Sequence, residues 1–203
     1  MHIELTEMLR CPEPHREEFL VLSTGEMSGR MVLSGLAGCP VCHKEYELVE
    51  GVVDFGERAG AAGASPASAA EAGAPPDAAT LQALLDLGGP GGIVVLLGSA
   101  ARQAEGLAGL MGGIHFVGVN APADVQELPV LSLVRCGGSV PLRGSVARGV
   151  VIGTDCAAEP WLTEGQRVLL RGRRYVLENE GVDLPAGVTR LAAGDGVIVG
   201  EKR

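Results

Sequence analysis

The sequence predicts an α/β protein in two parts: a small ribbon, then a mostly parallel strand–helix–strand sheet that ends in an antiparallel hairpin. Three observations predict it. A Cys-x-x-Cys knuckle at Cys39-Pro40-Val41-Cys42 follows a Cys-x3-His pair, Cys11 and His15, within the first 56 residues. Residues 57–76 hold no apolar residue larger than Ala or Pro. From residue 77 to 203, short apolar runs alternate with leucines at helical spacing. The chain therefore divides into 1–56, a linker at 57–76, and 77–203.

The bulk numbers narrow the function classes. At 203 residues and 46% hydrophobic, the chain can bury a core, but only 3% of it is aromatic. That core must come from Val, Leu and Ile, with close backbone approach at glycines. A net charge of -9 repels phosphate backbones and argues against nucleic-acid binding. The start of the chain lacks the basic and apolar segments of a secretory leader. No stretch approaches the roughly 20 apolar residues of a membrane helix. Five cysteines, three of them at metal-like positions, fit a reducing compartment rather than a disulfide framework. A cytoplasmic location is expected.

In the first part, Cys11 and His15 supply one thiolate and one imidazole, and Cys39 and Cys42 supply two thiolates. Between them lie strand-like segments, residues 19–22 and 31–33. Two knuckles separated by a hairpin make a zinc ribbon. A closed Cys3His site has no open coordination position and is structural rather than catalytic. So small a module has too little core to fold alone, and metal binding supplies the difference. His43, directly after Cys42, competes with His15 for the fourth position, and a water fills it if neither binds. This part carries four basic against ten acidic residues, which weighs against RNA binding by the ribbon.

The linker composition cannot bury enough surface to offset its ordering entropy. After it, Asp77 caps a helix carrying Leu81, Leu84 and Leu85 that stops at Gly88-Gly89-Pro90. Residues 93–97 are a strand buried on both faces. Ala104, Leu107, Ala108 and Met111 space a second helix, and residues 114–119 a second strand. Residues 130–134 and 149–152 are the third and fourth strands. Trp161, Leu162, Val168 and Leu169 mark a helix, and residues 174–178 a fifth strand. Runs at 188–192 and 197–199 flank Gly194-Asp195-Gly196, a hairpin signal. Strands alternating with helices give a Rossmann-like, mostly parallel sheet covered on both faces.

Two resemblances extend this reading. Residues 5–55 resemble the zinc-ribbon proteins that activate methyltransferases. The matching features are the start at residues 5–9, the knuckles at Cys11-Pro12 and Cys39-Pro40-Val41-Cys42, and the closing segment 46–55. The departure is Pro14, which stands where that family has a second Cys in the first knuckle. The resemblance implies contact with a methyltransferase-like domain. Residues 78–203 are similar to class I S-adenosylmethionine-dependent methyltransferases in Val95-Leu96-Leu97-Gly98, Ser139-Val140-Pro141-Leu142 and residues 168–177. That resemblance implies S-adenosylmethionine as cofactor, with Gly98 and Asn120 at its binding positions. Here the chain departs from the family. Leu96 replaces an acidic residue, and Ala100 and Arg102 replace glycines of the loop. Asn120 replaces the acidic residue that binds ribose, and Arg148 replaces an Asp. The long Arg102 side chain is expected to crowd the cofactor site.

Those departures favour a non-catalytic adaptor or regulatory protein that binds zinc and a protein partner, such as a methyltransferase or its own second part. The alternative is an active methyltransferase with an atypical site. No catalytic residue is assigned. Asp155 after the fourth strand reads as a capping aspartate, His115 as a satisfied core or edge histidine, and Cys136 and Cys156 as small buried hydrophobes. Arg171, Arg173 and Arg174 read as a solvated turn. Docking of the ribbon in cis, or between two copies as a homo-oligomer, is left open.

Overall fold

A computed structural model describes residues 1–56 and 75–203. Of the linker expected at 57–76, residues 57–74 lie outside the described residues.

The ribbon opens with a 3-10 turn at Ile3–Glu7, overlapping the start at residues 5–9 that belongs to the first resemblance. Its strands are β1 (Val21–Thr24), β2 (Met27–Ser28), β3 (Met31–Val32), β4 (Gly35–Gly38), β5 (Glu45–Val49) and β6 (Val52–Asp54). β5 alternates exposed and buried residues, with Tyr46 and Leu48 inward. β5 and β6 join through Glu50 and Gly51, both at positive φ, the backbone that a two-residue hairpin requires.

The second part follows the expected order closely. Asp77 accepts a hydrogen bond from Thr80 N and caps helix α1 (Ala78–Leu85). β7 (Ile93–Leu97) is buried at every position. A 3-10 segment, Gly98–Gln103, runs directly into α2 (Ala104–Leu110). Then come β8 (His115–Val119), β9 (Leu131–Arg135), β10 (Ala147–Ile152), α3 (Trp161–Val168) and β11 (Leu169–Leu177). β12 (Val188–Gly194) and β13 (Val197–Lys202) form the terminal hairpin, turning at Asp195 and Gly196, again both at positive φ.

β11 begins five residues before the expected strand and takes Leu169 from the helix. Ala147 pairs with Leu169, but Gly149 already pairs with Arg174, so residues 170–173 loop out of the ladder. The break falls at Arg148, whose guanidinium donates to the carbonyls of Gly88, Gly89, Pro90 and Gly91. It gathers the carbonyls of the loop before β7, which a Gly-rich turn leaves without strand partners.

All strands but β2 and β3 form one sheet, in the order β1-β4-β5-β6-β9-β8-β7-β10-β11-β13-β12. The block from β9 to β11 is parallel, and the β11–β13–β12 end is antiparallel. The ribbon docks in cis. β6 pairs parallel with β9, Val53 against Val134 and Asp54 against Arg135, and covers what would be a free sheet edge.

One face of the sheet packs on α1 and α2, through Leu81, Leu85 and Leu107 against Val94, Leu96 and Val151. The other face packs on α3 and on the start of the ribbon, where Leu5, Leu9, Val53 and Leu142 share a single cluster with Val117, Val150 and Tyr175. The ribbon's core and the sheet's core are thus continuous on that side. A polar knot ties the junction. Arg10 donates to Leu142 O and Ser139 Oγ, Ser139 Oγ donates to Glu164, and Arg167 holds Glu164 with its Nε and Nη2. Burial alone would raise the Glu164 carboxyl, but the Arg167 pair and the Val140 N–H bring it below its usual value.

Candidate metal centre and the carboxyl edge of the sheet

The ribbon brings Cys11, His15, Cys39 and Cys42 together, with their ligand atoms all within 4.8 Å of one another. Cys11 Sγ lies 3.7 Å from Cys42 Sγ, and Cys39 Sγ lies 3.4 Å from His15 Nε2. Ordinary zinc bond lengths in a tetrahedron put sulfur pairs about 3.8 Å apart and sulfur–nitrogen pairs about 3.5 Å apart. The spacing fits zinc, and 3.7 Å is far outside a disulfide bond.

The histidine is also oriented for the task. His15 Nδ1 lies 2.7 Å from Arg16 O. A carbonyl only accepts, so Nδ1 carries the proton and the Nε2 lone pair is free for a cation held among the sulfurs. Tyr46 OH sits 3.2 Å from Cys11 Sγ. Burial would raise the Cys39 thiol, but the N–H groups of Cys42 and Val41 overcome it and bring it down to about 7. Burial wins at Cys11, pushed up to about 11. His43 is outside the cluster, taking a left-handed turn position while its N–H donates to Cys39 O.

The second region lies at the carboxyl ends of β7, β8, β10 and β11. The chain turns from one side of β7 to the other between β9 and β10, and such a switch point is where open α/β sheets receive ligands. Gly98 takes φ +60, as its position at the strand end requires. A Cβ there would stand 2.3 Å from Asp155 Oδ1 and 2.7 Å from Cys156 Sγ. Ser99 N donates to the same Asp155 oxygen at 2.7 Å. Gly153 approaches as closely, its own Cβ position 2.7 Å from Ala100 N. The loops after β7 and β10 are therefore in direct contact over the first glycine.

Asn120 is buried with φ +53, and its amide clasps one residue. Nδ2 donates to Cys136 O and Oδ1 accepts from Cys136 N, both at 3.0 Å. Asn120→Asp, which restores the acidic residue the resemblance implies, is expected to cost about 2 kcal/mol. It would bury a carboxylate and leave the Cys136 carbonyl without its donor. Urea unfolding measures it, and a variant as stable as the parent would mean the clasp is unimportant.

Arg102 does not crowd this region. Its guanidinium turns out to Asp124, with Nε and Nη2 at 2.8 and 2.9 Å from the two carboxylate oxygens. Its place in the 3-10 segment after β7 puts residue 102 within reach of Asp124, in the loop that follows β8. Asp155 caps that segment through Ser99 N. His115 is half-buried with Nε2 2.9 Å from Ser132 Oγ, and burial, with His2 5.1 Å away, lowers it to about 4. Cys136 and Cys156 are both buried. Arg174 pairs with Glu201 and Asp86.

Sequence reasoning passed over two residues here. Glu178 directly follows β11 and is 3% exposed, and its Oε1 has no hydrogen-bond partner among the described residues. Burial, then the charge of Asp155, raises it to about 7. The second is Ser99, whose buried Oγ is likewise without one. The signal was legible: an acidic residue ending a buried parallel strand next to the switch point.

No family model and no curated protein matches the chain. Among solved structures it is similar to geranyl diphosphate C-methyltransferase from Streptomyces coelicolor A3(2), at 18% identity over 49% of this chain and 41% of that one, with a TM-score of 0.41. It is similar to a SAM-dependent methyltransferase from Aquifex aeolicus, at 15% identity over 63% and 90%, with a TM-score of 0.48. A third similarity is to a chain in the complex between the Haloferax volcanii Trm112 methyltransferase activator and a methyltransferase, at 20% identity over 49% and 50%, with a TM-score of 0.40. The chain spans about two fifths of two geranyl diphosphate methyltransferase structures and 84% of a third. Among the described residues no helix is long and apolar enough to cross a membrane.

Proposed function

We propose that the chain is a non-catalytic adaptor or regulatory protein, a structural zinc ribbon docked on a methyltransferase-like sheet that has lost its cofactor site. Cys11, His15, Cys39 and Cys42 would hold the zinc, which supplies cross-linking of the ribbon and no reaction. The observation that carries the reading is the cover over Gly98. Asp155 and Cys156 stand where a ligand would have to approach the glycine backbone. Asn120 points the same way, since both atoms of its amide are engaged with Cys136.

Calorimetric titration of the zinc-loaded protein with S-adenosylmethionine and its demethylated product tests it. No heat at millimolar ligand is expected. Micromolar binding would overturn the reading and turn attention to methyl acceptors.

The second reading, an active methyltransferase with an atypical site, has one observation in its favour. Ser99 Oγ and Glu178 Oε1 are buried polar atoms without partners among the described residues, at the edge where this fold takes its ligands. Under that reading Glu178→Gln would weaken binding of the titrated ligand. Under the first reading there is no binding to weaken.

A further inference from the structure

The sheet is covered unevenly. α1 and α2 lie over the parallel block, but no described element lies over the same face of β1, β4, β5 and β6. Register and alternation fix which residues point there. Ala37, Tyr46, Leu48 and Val53 face the shared core, so Leu36, Glu47, Val49 and Asp54 face the opposite way. Val21, Leu36 and Val49 are 65, 40 and 56% exposed, although they are large apolar side chains on one continuous strand surface.

Among the described residues, the β5–β6 side of this face is also concave. The loop 121–127 rises beside β6 and β9 and walls a trough of about 510 Å³ floored by Glu47, Val49, Val52 and Leu133. A neighbouring hollow of about 920 Å³ shares Glu47, Asp54 and Arg135 with it. The rim is acidic. Glu45, Glu47, Glu50 and Asp54 line the two, against Arg135 and a Lys44 already paired with Glu13. Four strands span about 19 Å, wide enough for one helix of 10–12 Å diameter.

We propose that this face receives a basic amphipathic helix of a partner protein. Resting on the adaptor reading above, the inference names where and how the partner binds. A helix there would continue the layer that α1 and α2 begin, its apolar stripe on Val21, Leu36 and Val49 and its lysines or arginines on Glu45, Glu47 and Asp54. A second copy of this acidic chain is the poorer occupant, because it would set like charges against the rim.

The test uses the full zinc-loaded chain and fluorescence anisotropy at physiological ionic strength. The probe is a labelled 18-residue helix of leucine and lysine, with a leucine–glutamate helix of the same pattern beside it. The lysine helix is expected to bind and the glutamate helix not. The double variant Leu36→Asp/Val49→Asp should weaken binding about tenfold or more. Glu47→Lys, a change on an exposed strand position that leaves the core alone, should weaken it in the same direction. Equal binding of the two helices, or affinity unchanged in both variants, overturns the proposal. So does a wild-type dimer in sedimentation that Val49→Asp dissolves, since the second copy would then be the occupant. Heat on adding S-adenosylmethionine would sink the adaptor reading while leaving the helix result standing.

Discussion

Removing the metal, by chelation or by Cys39→Ser, is expected to lower the unfolding midpoint of the whole chain by roughly 8–20 °C. The figure follows from a loss of about 4–5 kcal/mol, with each kcal/mol worth about 2–4 °C at this size. The loss should not stay in the ribbon. Cys11 is followed in the shared core by Leu20, Tyr46, Leu48 and Val53, which run without a break into Val134, Cys136 and Leu142. Its neighbour Arg10 holds Leu142 O and Ser139 Oγ on the far side of the junction. A ribbon that lets go of its knuckles therefore releases β6 from β9 and leaves a parallel edge open. Trp161 is the single tryptophan and sits in α3, outside the ribbon but in the core the two parts share. If ribbon and sheet melt together, its fluorescence and the far-ultraviolet signal will fall at one midpoint, lowered equally in the Cys39→Ser variant. Zinc content well below one per chain, or a midpoint within about 2 °C of the parent, would remove the zinc assignment.

The parts legible in the sequence share a cause: each is written within a few neighbouring residues. Ile93–Leu97 is apolar throughout because both faces of β7 are buried. Asp77 caps α1 by reaching three residues along the chain. Asp195-Gly196 turns a hairpin because both residues accept positive φ. Within each knuckle the two candidate ligands, Cys11 with His15 and Cys39 with Cys42, are likewise no more than four positions apart in sequence. What was not legible depends on residues far apart. The β6–β9 pairing joins segments some eighty residues apart, and no local pattern announces it. The direction of Arg102 depends on Asp124 and on the 3-10 path after β7. The extra length of β11 follows from Arg148 leaving the ladder to gather the carbonyls of residues 88–91. Asn120 reads in sequence as a damaged ribose contact, but its hydrogen bonds go to the backbone of Cys136, sixteen residues on. A departure from a family pattern says that something has changed there. Only the fold says what replaced it.

Glu178→Gln is expected to abolish a limb in the pH dependence of stability worth about 3 kcal/mol. Burial, with the charge of Asp155 second, raises the Glu178 carboxyl to about 7 from an ordinary value of 4.5. Below pH 4.5 it is protonated in both the folded and unfolded chain and contributes no pH dependence. Between 4.5 and 7 the folded chain keeps the proton that the unfolded chain has lost, so stability falls as pH rises. Above 7 the full difference persists, at about 1.4 kcal/mol for each pH unit that separates the folded and unfolded values. His115 acts in the opposite sense in nearly the same window. Lowered to about 4, it is neutral in the fold while the unfolded chain takes up a proton below about 6.5, so stability falls there as pH drops. The two limbs partly cancel in the parent chain. The telling quantity is therefore the difference between parent and Glu178→Gln, followed by urea unfolding from about pH 4.5 to 8. That difference should grow steadily from 4.5 and level off above 7. Asp155→Asn, by removing the neighbouring charge, should move the limb to lower pH without erasing it. A flat difference across the range would mean that Glu178 ionises at its ordinary value, and with that its place as a neutral acid beneath the β10 loop is lost. A carboxyl raised to about 7, with its Oε1 unpartnered among the described residues at the carboxyl edge of a parallel sheet, is a cost to this chain once it ionises. Whether it also carries function is decided by whether the Gln variant changes any binding at that edge while it flattens the limb.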